Sequence, residues 1–170
     1  MARNTAGPAV ASVLFAATIV TTIIGIFLTI YYLFTDPGLA YRVAAAILVG
    51  VVGIMSFLRH SVFYRSDQVR MGWIQDRPEF QLEVGYANLA IGLLALLAAG
   101  LNWGSLACAI SLLTYATYLF CALLLHGYEA VYVVEIRGRA TKSVINTAFF
   151  VAALYIFGFL ALAGSHTVPF

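Results

Sequence analysis

The chain has 170 residues, of which 63% are hydrophobic and only 9% charged, with a mean hydropathy of +0.97. Soluble domains carry about a quarter charged residues, and a surface this poor in charge would aggregate in water, so lipid is the solvent that fits. The net charge of +2, without a basic tail or an acidic run, excludes a nucleic-acid partner.

A membrane-spanning helix needs about 20 predominantly apolar residues. Five segments meet that length, at roughly 10–34, 42–63, 83–101, 105–134 and 143–163. They predict an all-α, polytopic helix bundle forming a single transmembrane domain over 1–170. The first apolar run, about 25 residues, exceeds the 7–15 of a signal h-region and reads as a retained span. Asp36-Pro37-Gly38 is a turn signal after it. The second span ends on Arg59 and His60. Asn102-Trp103-Gly104 makes a tight connection between the third and fourth, and Arg137-Gly138-Arg139 ends the fourth.

The one substantial connection, 64–82, carries Arg65, Asp67, Arg70, Asp76, Arg77 and Glu79. Ser66–Trp73 is expected as a short helix at the interface, with its arginines toward headgroups and Trp73 at headgroup level. Asp76-Arg77-Pro78-Glu79 reads as the start of the third helix near Arg77, with Asp76 as the cap and Pro78 in the first turn.

With five spans, Arg3, Arg59, Arg65, Arg70, Arg77, Arg137, Arg139 and Lys142 fall on one side and Arg42 alone on the other. By the positive-inside rule this puts the N-terminus and the 64–82 connection in the cytoplasm of a multi-pass plasma (inner) membrane protein. Tyr31, Tyr32, Tyr41, Tyr64, Trp73, Trp103, Tyr128 and Tyr132 fall near the interfaces, as aromatic belts do. Thr114, Tyr115 and Tyr118 lie mid-span, and their hydroxyls predict a bundle-facing side. Cys108 and Cys121 lie roughly 20 Å apart along one helix, too far to pair within it.

Ionisable groups inside a span are costly and mark function by default. His60, Glu83, His126 and Glu129 all map to the cytoplasmic half, with Arg59, Asn88 and Asn146 as supporting polar groups. His126 and Glu129, three residues apart, share one helix face. Gly53, Ser56 and His60 make a small polar stripe on the second helix, Thr18, Thr22, Gly25 and Thr29 on the first, and Gly85, Asn88 and Gly92 on the third. Glu83 points about 140° away from Asn88 on an ideal helix.

Two imidazoles and two carboxylates suit a transition metal, and the two histidines alone suit haem, as cofactor ligands. The same groups also suit a proton relay. Each has a plainer account: His60 at the headgroups, Glu83 paired with Arg59 or Arg77, Glu129 with Arg137, and His126 hydrogen-bonded in the core. No reaction type is specified. The alternatives are an accessory or assembly protein whose small-residue faces pack on a partner membrane subunit or a second copy, and a small-solute channel or carrier. The apolar outer half speaks against a channel.

The stretch Met71-Gly72-Trp73 … Pro78-Glu79-Phe80-Gln81-Leu82-Glu83-Val84-Gly85-Tyr86-Ala87-Asn88-Leu89 resembles a family of small, uncharacterised prokaryotic integral membrane proteins. That family pairs a histidine at the end of one span with a Gly-Trp, a Pro-Phe-Gln-x-Glu-x-Gly-x-Ala-Asn-Leu stretch and a later histidine. His60, Gly72, Trp73, Gln81, Glu83, Gly85, Asn88 and His126 fill those places, with Glu79 inserted between Pro78 and Phe80. The resemblance groups His60, Glu83, Asn88 and His126 as a set and implies no activity.

Overall fold

In the computed structural model, which describes residues 9–71, 78–132 and 137–165, the chain is a bundle of helices with no strand among the described residues. We number them α1 (Ala9–Leu33), α2 (Pro37–Val62), α3 (Tyr64–Met71), α4 (Glu79–Gly100), α5 (Ser105–Tyr132) and α6 (Arg137–Ser165). All but α3 contain a stretch long and apolar enough to cross a membrane.

The helix ends follow local chemistry. Asp36 accepts a hydrogen bond from the Leu39 amide at 3.0 Å, and Pro37 supplies a preset φ. That cap starts α2 five residues before the expected Arg42. α4 stops where Asn102 takes φ 54° and Gly104 φ 90°, conformations that Asn and Gly tolerate. The Trp103 amide then reaches the Ala98 carbonyl at 3.0 Å, closing the helix end in the Schellman manner. At the same end of the bundle Arg42 Nε donates to the Ala99 carbonyl at 2.9 Å, satisfying another terminal acceptor of α4. α4 begins at Glu79 without a side-chain cap; Asp76 and Arg77, expected to start it, and Trp73 lie outside the described residues.

α2 is not a regular α-helix. Residues Ala45–Val51 and Leu58–Val62 form wide π turns. Such turns are rare and frequent at functional sites. The second carries Arg59 and His60. Neighbours on an ideal helix point about 100° apart, yet both side chains converge on one carboxylate.

The core centres on Leu48 and Val49 of α2, Leu112 and Tyr115 of α5 and Leu154 of α6, with alanines at the crossings. α5 and α6 pack along each other as a hairpin, and α2 packs on α4. The α2–α4 crossing depends on absent side chains. A Cβ on Gly53 would sit 2.8 Å from the Asn88 carbonyl oxygen and 3.0 Å from the Gly92 Cα, both backbone atoms. Thr114 is exposed rather than bundle-facing, whereas Tyr115 is buried. α1 is the least buried of the spans, with Val13, Ile23 and Phe27 facing outward.

Gly53→Ala forces two backbones apart and is expected to cost about 1–3 kcal/mol, the usual price of overpacking. Gly100→Ala, whose Cβ meets nothing within 4 Å, is expected to be neutral or slightly stabilising. Thermal melts of the two variants in one detergent check the contrast.

Candidate functional site

The polar centre of the molecule is Asp67, on the short helix α3, with no exposed surface. Ser66–Trp73 was expected as a short interfacial helix with its arginines toward headgroups. Instead α3 folds inward, and Ser66, Asp67 and Gln68 are buried. The correction has a physical cause: the carboxylate finds four donors inside. Arg70 approaches Oδ1 from Nε at 2.9 Å and Nη2 at 2.8 Å. His60 Nδ1 lies 2.8 Å from Oδ2, and Gln81 Nε2 donates to Oδ2 at 3.1 Å. Arg59 Nε stands 3.7 Å from Oδ1. Residues of α2, α3 and α4 therefore meet on one carboxylate.

α1 closes the group from the side. The Ala11 amide, one of the unpaired donors of a helix start, donates to Ser66 Oγ at 3.1 Å. The Phe15 ring receives both guanidinium groups, with Arg70 Cζ at 4.6 Å and Arg59 Cζ at 5.4 Å from its centroid.

Hydrogen bonding fixes the His60 tautomer. Arg59 Nη2 lies 3.0 Å from His60 Nε2. A guanidinium only donates, so Nε2 accepts and the ring proton sits on Nδ1, facing Asp67. Nε2 is held by Arg59, and Nδ1 faces the Asp67 carboxylate at ion-pair distance. A metal or haem iron on His60 would have to displace Arg59 or Asp67.

The candidate residues accordingly separate into three places. His60 and Arg59 belong to the Asp67 group. His126 and Glu129 pair with each other on α5, Nδ1 to Oε2 at 3.1 Å, with Glu129 half-buried. Glu83 is exposed on α4, off the face that holds Asn88. The four proposed ligands do not gather into one set, and among the described residues no three His, Cys, Asp or Glu side chains converge as metal ligands do. Asn88 is buried and fully employed: it donates to the Val84 carbonyl at 2.7 Å and the Tyr118 hydroxyl at 3.1 Å, and accepts from the Tyr115 hydroxyl at 2.9 Å. It clamps α4 to α5. Asn146 is exposed at the mouth of α6.

A cavity of about 600 Å³ joins two of these places. Arg59, His60 and Arg70 line one wall, His126 another, and Asn146 and Thr147 the α6 side, over an apolar floor that includes Leu119 and Leu125. No Asp or Glu lines it among the described residues. Asp67 lies behind the arginines. One carboxylate faces two guanidinium groups there, so the group keeps a net positive charge. Arg59, whose side chain is 11% exposed, leaves Nε and Nη1 without a hydrogen-bond acceptor among the described residues.

Asp67, Arg70, Gln81 and Phe15 were not singled out from the sequence as site residues. Asp67 stands seven residues after His60 and three before Arg70, a spacing that would have signalled it had α3 been placed against the bundle rather than at the interface.

The chain belongs to a family of unknown function (DUF6790), whose model matches residues 9–167. No curated protein and no solved structure matches it.

Burial alone would raise the Asp67 carboxyl. The hydrogen bond and charge of His60, with the charges of Arg59 and Arg70, outweigh it and lower the group from an ordinary 3.8 to about 2. A depressed carboxyl stabilises the fold fully above its ordinary value, and that contribution is lost as pH falls through about 2. Detergent-solubilised protein is therefore expected to lose stability from about pH 4 down to about pH 2. Asp67→Asn is expected to cost about 3–5 kcal/mol at neutral pH, since it leaves two buried cations unmatched, and to flatten that acid slope. Melting curves across the pH range test both.

Proposed function

We propose that the protein binds an anionic group, a phosphate by preference, in the cavity beside Arg59 and Arg70. The observation that carries this reading is the charge of the wall: two guanidinium groups, one buried carboxylate behind them and no acidic lining residue among those described. An unmatched cation in a poorly solvated site is costly, and an arriving anion relieves that cost. Paired guanidinium groups suit phosphate oxygens in particular. We place this end of the bundle on the cytoplasmic side, on the strength of the eight-to-one distribution of Lys and Arg. A metal or haem centre on His60 and His126 is the weaker reading, because Arg59 holds His60 Nε2, the Asp67 carboxylate stands against Nδ1, and His126 pairs with Glu129.

The His126–Glu129 pair gives a second reading some footing. His126 reaches the cavity wall with Glu129 at 3.1 Å, a pair that would couple anion uptake to a proton passed between the two side chains.

Inorganic phosphate is expected to raise the melting temperature of the purified protein beyond an ionic-strength-matched chloride control, as a native-state ligand does. Arg59→Gln is expected to abolish the rise. Equal melting temperatures in phosphate and chloride would sink the reading, and that comparison on the wild type decides even if the variant does not fold.

A further inference from the structure

A second cavity, about 330 Å³, adjoins the first and shares Phe15, Ser56, Arg59, Leu119, Asn146 and Thr147 with it. It runs between α1 and α6, which make no extensive contact with each other. Its walls are mostly apolar, with Ile19, Ile23 and Ile26 of α1 and Phe149 and Phe150 of α6, and Thr18 and Thr22 of α1 also line it. Ile23 and Phe149 are 49% and 76% exposed, so the cleft opens sideways, toward the lipid. From Phe15 to Ile26 it follows about 16 Å of helix rise. The hydrocarbon core is about 30 Å thick, so the cleft is about one leaflet deep.

We infer that the occupant is a membrane lipid with a phosphate headgroup. The phosphate sits by Arg59 and Arg70, and one hydrocarbon chain lies in the cleft between α1 and α6, having entered laterally from the bilayer. This rests on the anion reading above and names the source of the anion. Three observations carry it. The charged wall and the apolar cleft are continuous through Arg59 and Phe15. The charge at the joint is positive, complementary to a phosphate. The apolar part has the depth of a lipid chain, and its volume is at the low end for a small-molecule site. A partner helix, roughly 10–12 Å across with its side chains, does not fit a cleft of that volume.

The geometry divides the labour between residues. Arg59 and Arg70 read the head, Phe15 holds both guanidinium planes at the junction, and the isoleucines of α1 accept the chain. Asn146 and Thr147 stand across from Arg59 at the same level and offer neutral donors to the remaining phosphate oxygens.

The test uses the full chain in nanodiscs of a phosphate-free glycolipid, digalactosyldiacylglycerol, with dodecyl phosphate, dodecanol and inorganic phosphate as probes and Ile19→Trp as the variant that fills the cleft. Dodecyl phosphate is expected to bind at least about tenfold more tightly than either other probe, because it joins a charge-assisted contact to apolar burial. Inorganic phosphate is expected to compete with it. Ile19→Trp is expected to weaken dodecyl phosphate about tenfold and to leave inorganic phosphate unchanged. If dodecyl phosphate binds no better than inorganic phosphate, or Ile19→Trp leaves it untouched, the lipid inference falls and the anion reading stands. If dodecanol binds as well as dodecyl phosphate, and inorganic phosphate neither binds nor competes, the anion reading falls and the lipid inference falls with it.

Discussion

A carboxylate with no exposed surface has to be matched by donors and positive charge, and Asp67 gathers them from three helices. Without it α3 would have no reason to fold inward, because its sequence, Tyr-Arg-Ser-Asp-Gln-Val-Arg-Met, is polar enough to lie at an interface. With it, the connection between α2 and α4 becomes part of the bundle, Arg59 and His60 are held inside, and α1 gains a partner for its first amides through Ser66. Breaking such a group by removing one member is costly, whereas building it whole from hydrophobic residues often is not. A buried ionic group of this kind is better explained by what it positions than by the stability it adds. Here it positions two guanidinium groups against a cavity.

The arrangement also depends on the bare backbone of the α2–α4 crossing. Gly53 and Gly92 let the two helices approach, and that approach brings Ser61 of α2 to the Leu82 carbonyl of α4 at 3.1 Å. Gln81, one residue before, then reaches Asp67. The wide turn at Leu58–Val62 completes the geometry by letting adjacent residues face the same way. Packing of small residues in the middle of the bundle and charge pairing at its end are two parts of one construction.

The spans were legible in the sequence because hydropathy and turn chemistry are local. Asp36-Pro37, Asn102 and Gly104 act within a few residues of themselves. The stripes Gly53–Ser56 and Gly85–Asn88–Gly92 were legible for the same reason, since helical periodicity alone puts them on one face. The site was harder to read. His60 and Arg59 were visible as charges at a span end, but the group that organises them lies in a segment whose polarity mimics a solvated loop. Nothing local distinguishes a buried Asp67 from an exposed one. The distinction is made by Gln81, Phe15 and Arg59, which come from elsewhere in the chain. Glu83 shows the converse: a carboxylate inside an apolar helix drew suspicion, yet its face turns away from the bundle.

α1 is made before the residues that close its N-terminal end, since Arg59, Ser66 and Arg70 follow some fifty residues later in synthesis. Until those residues are made, that end of α1 lacks the partners that close it. Its composition suits that wait, since it is the most apolar of the spans and carries no charged residue from Ala9 to Leu33. The order of translation places the stretch of α2 that packs along α1 before the charged group that closes one end. The seating of α1 thus has two parts: packing along α2, where Ile47 and Leu48 lie against Gly25 and Met55 against Thr18 and Thr21, and a closure at one end, where Phe15 lies beneath the two guanidinium groups.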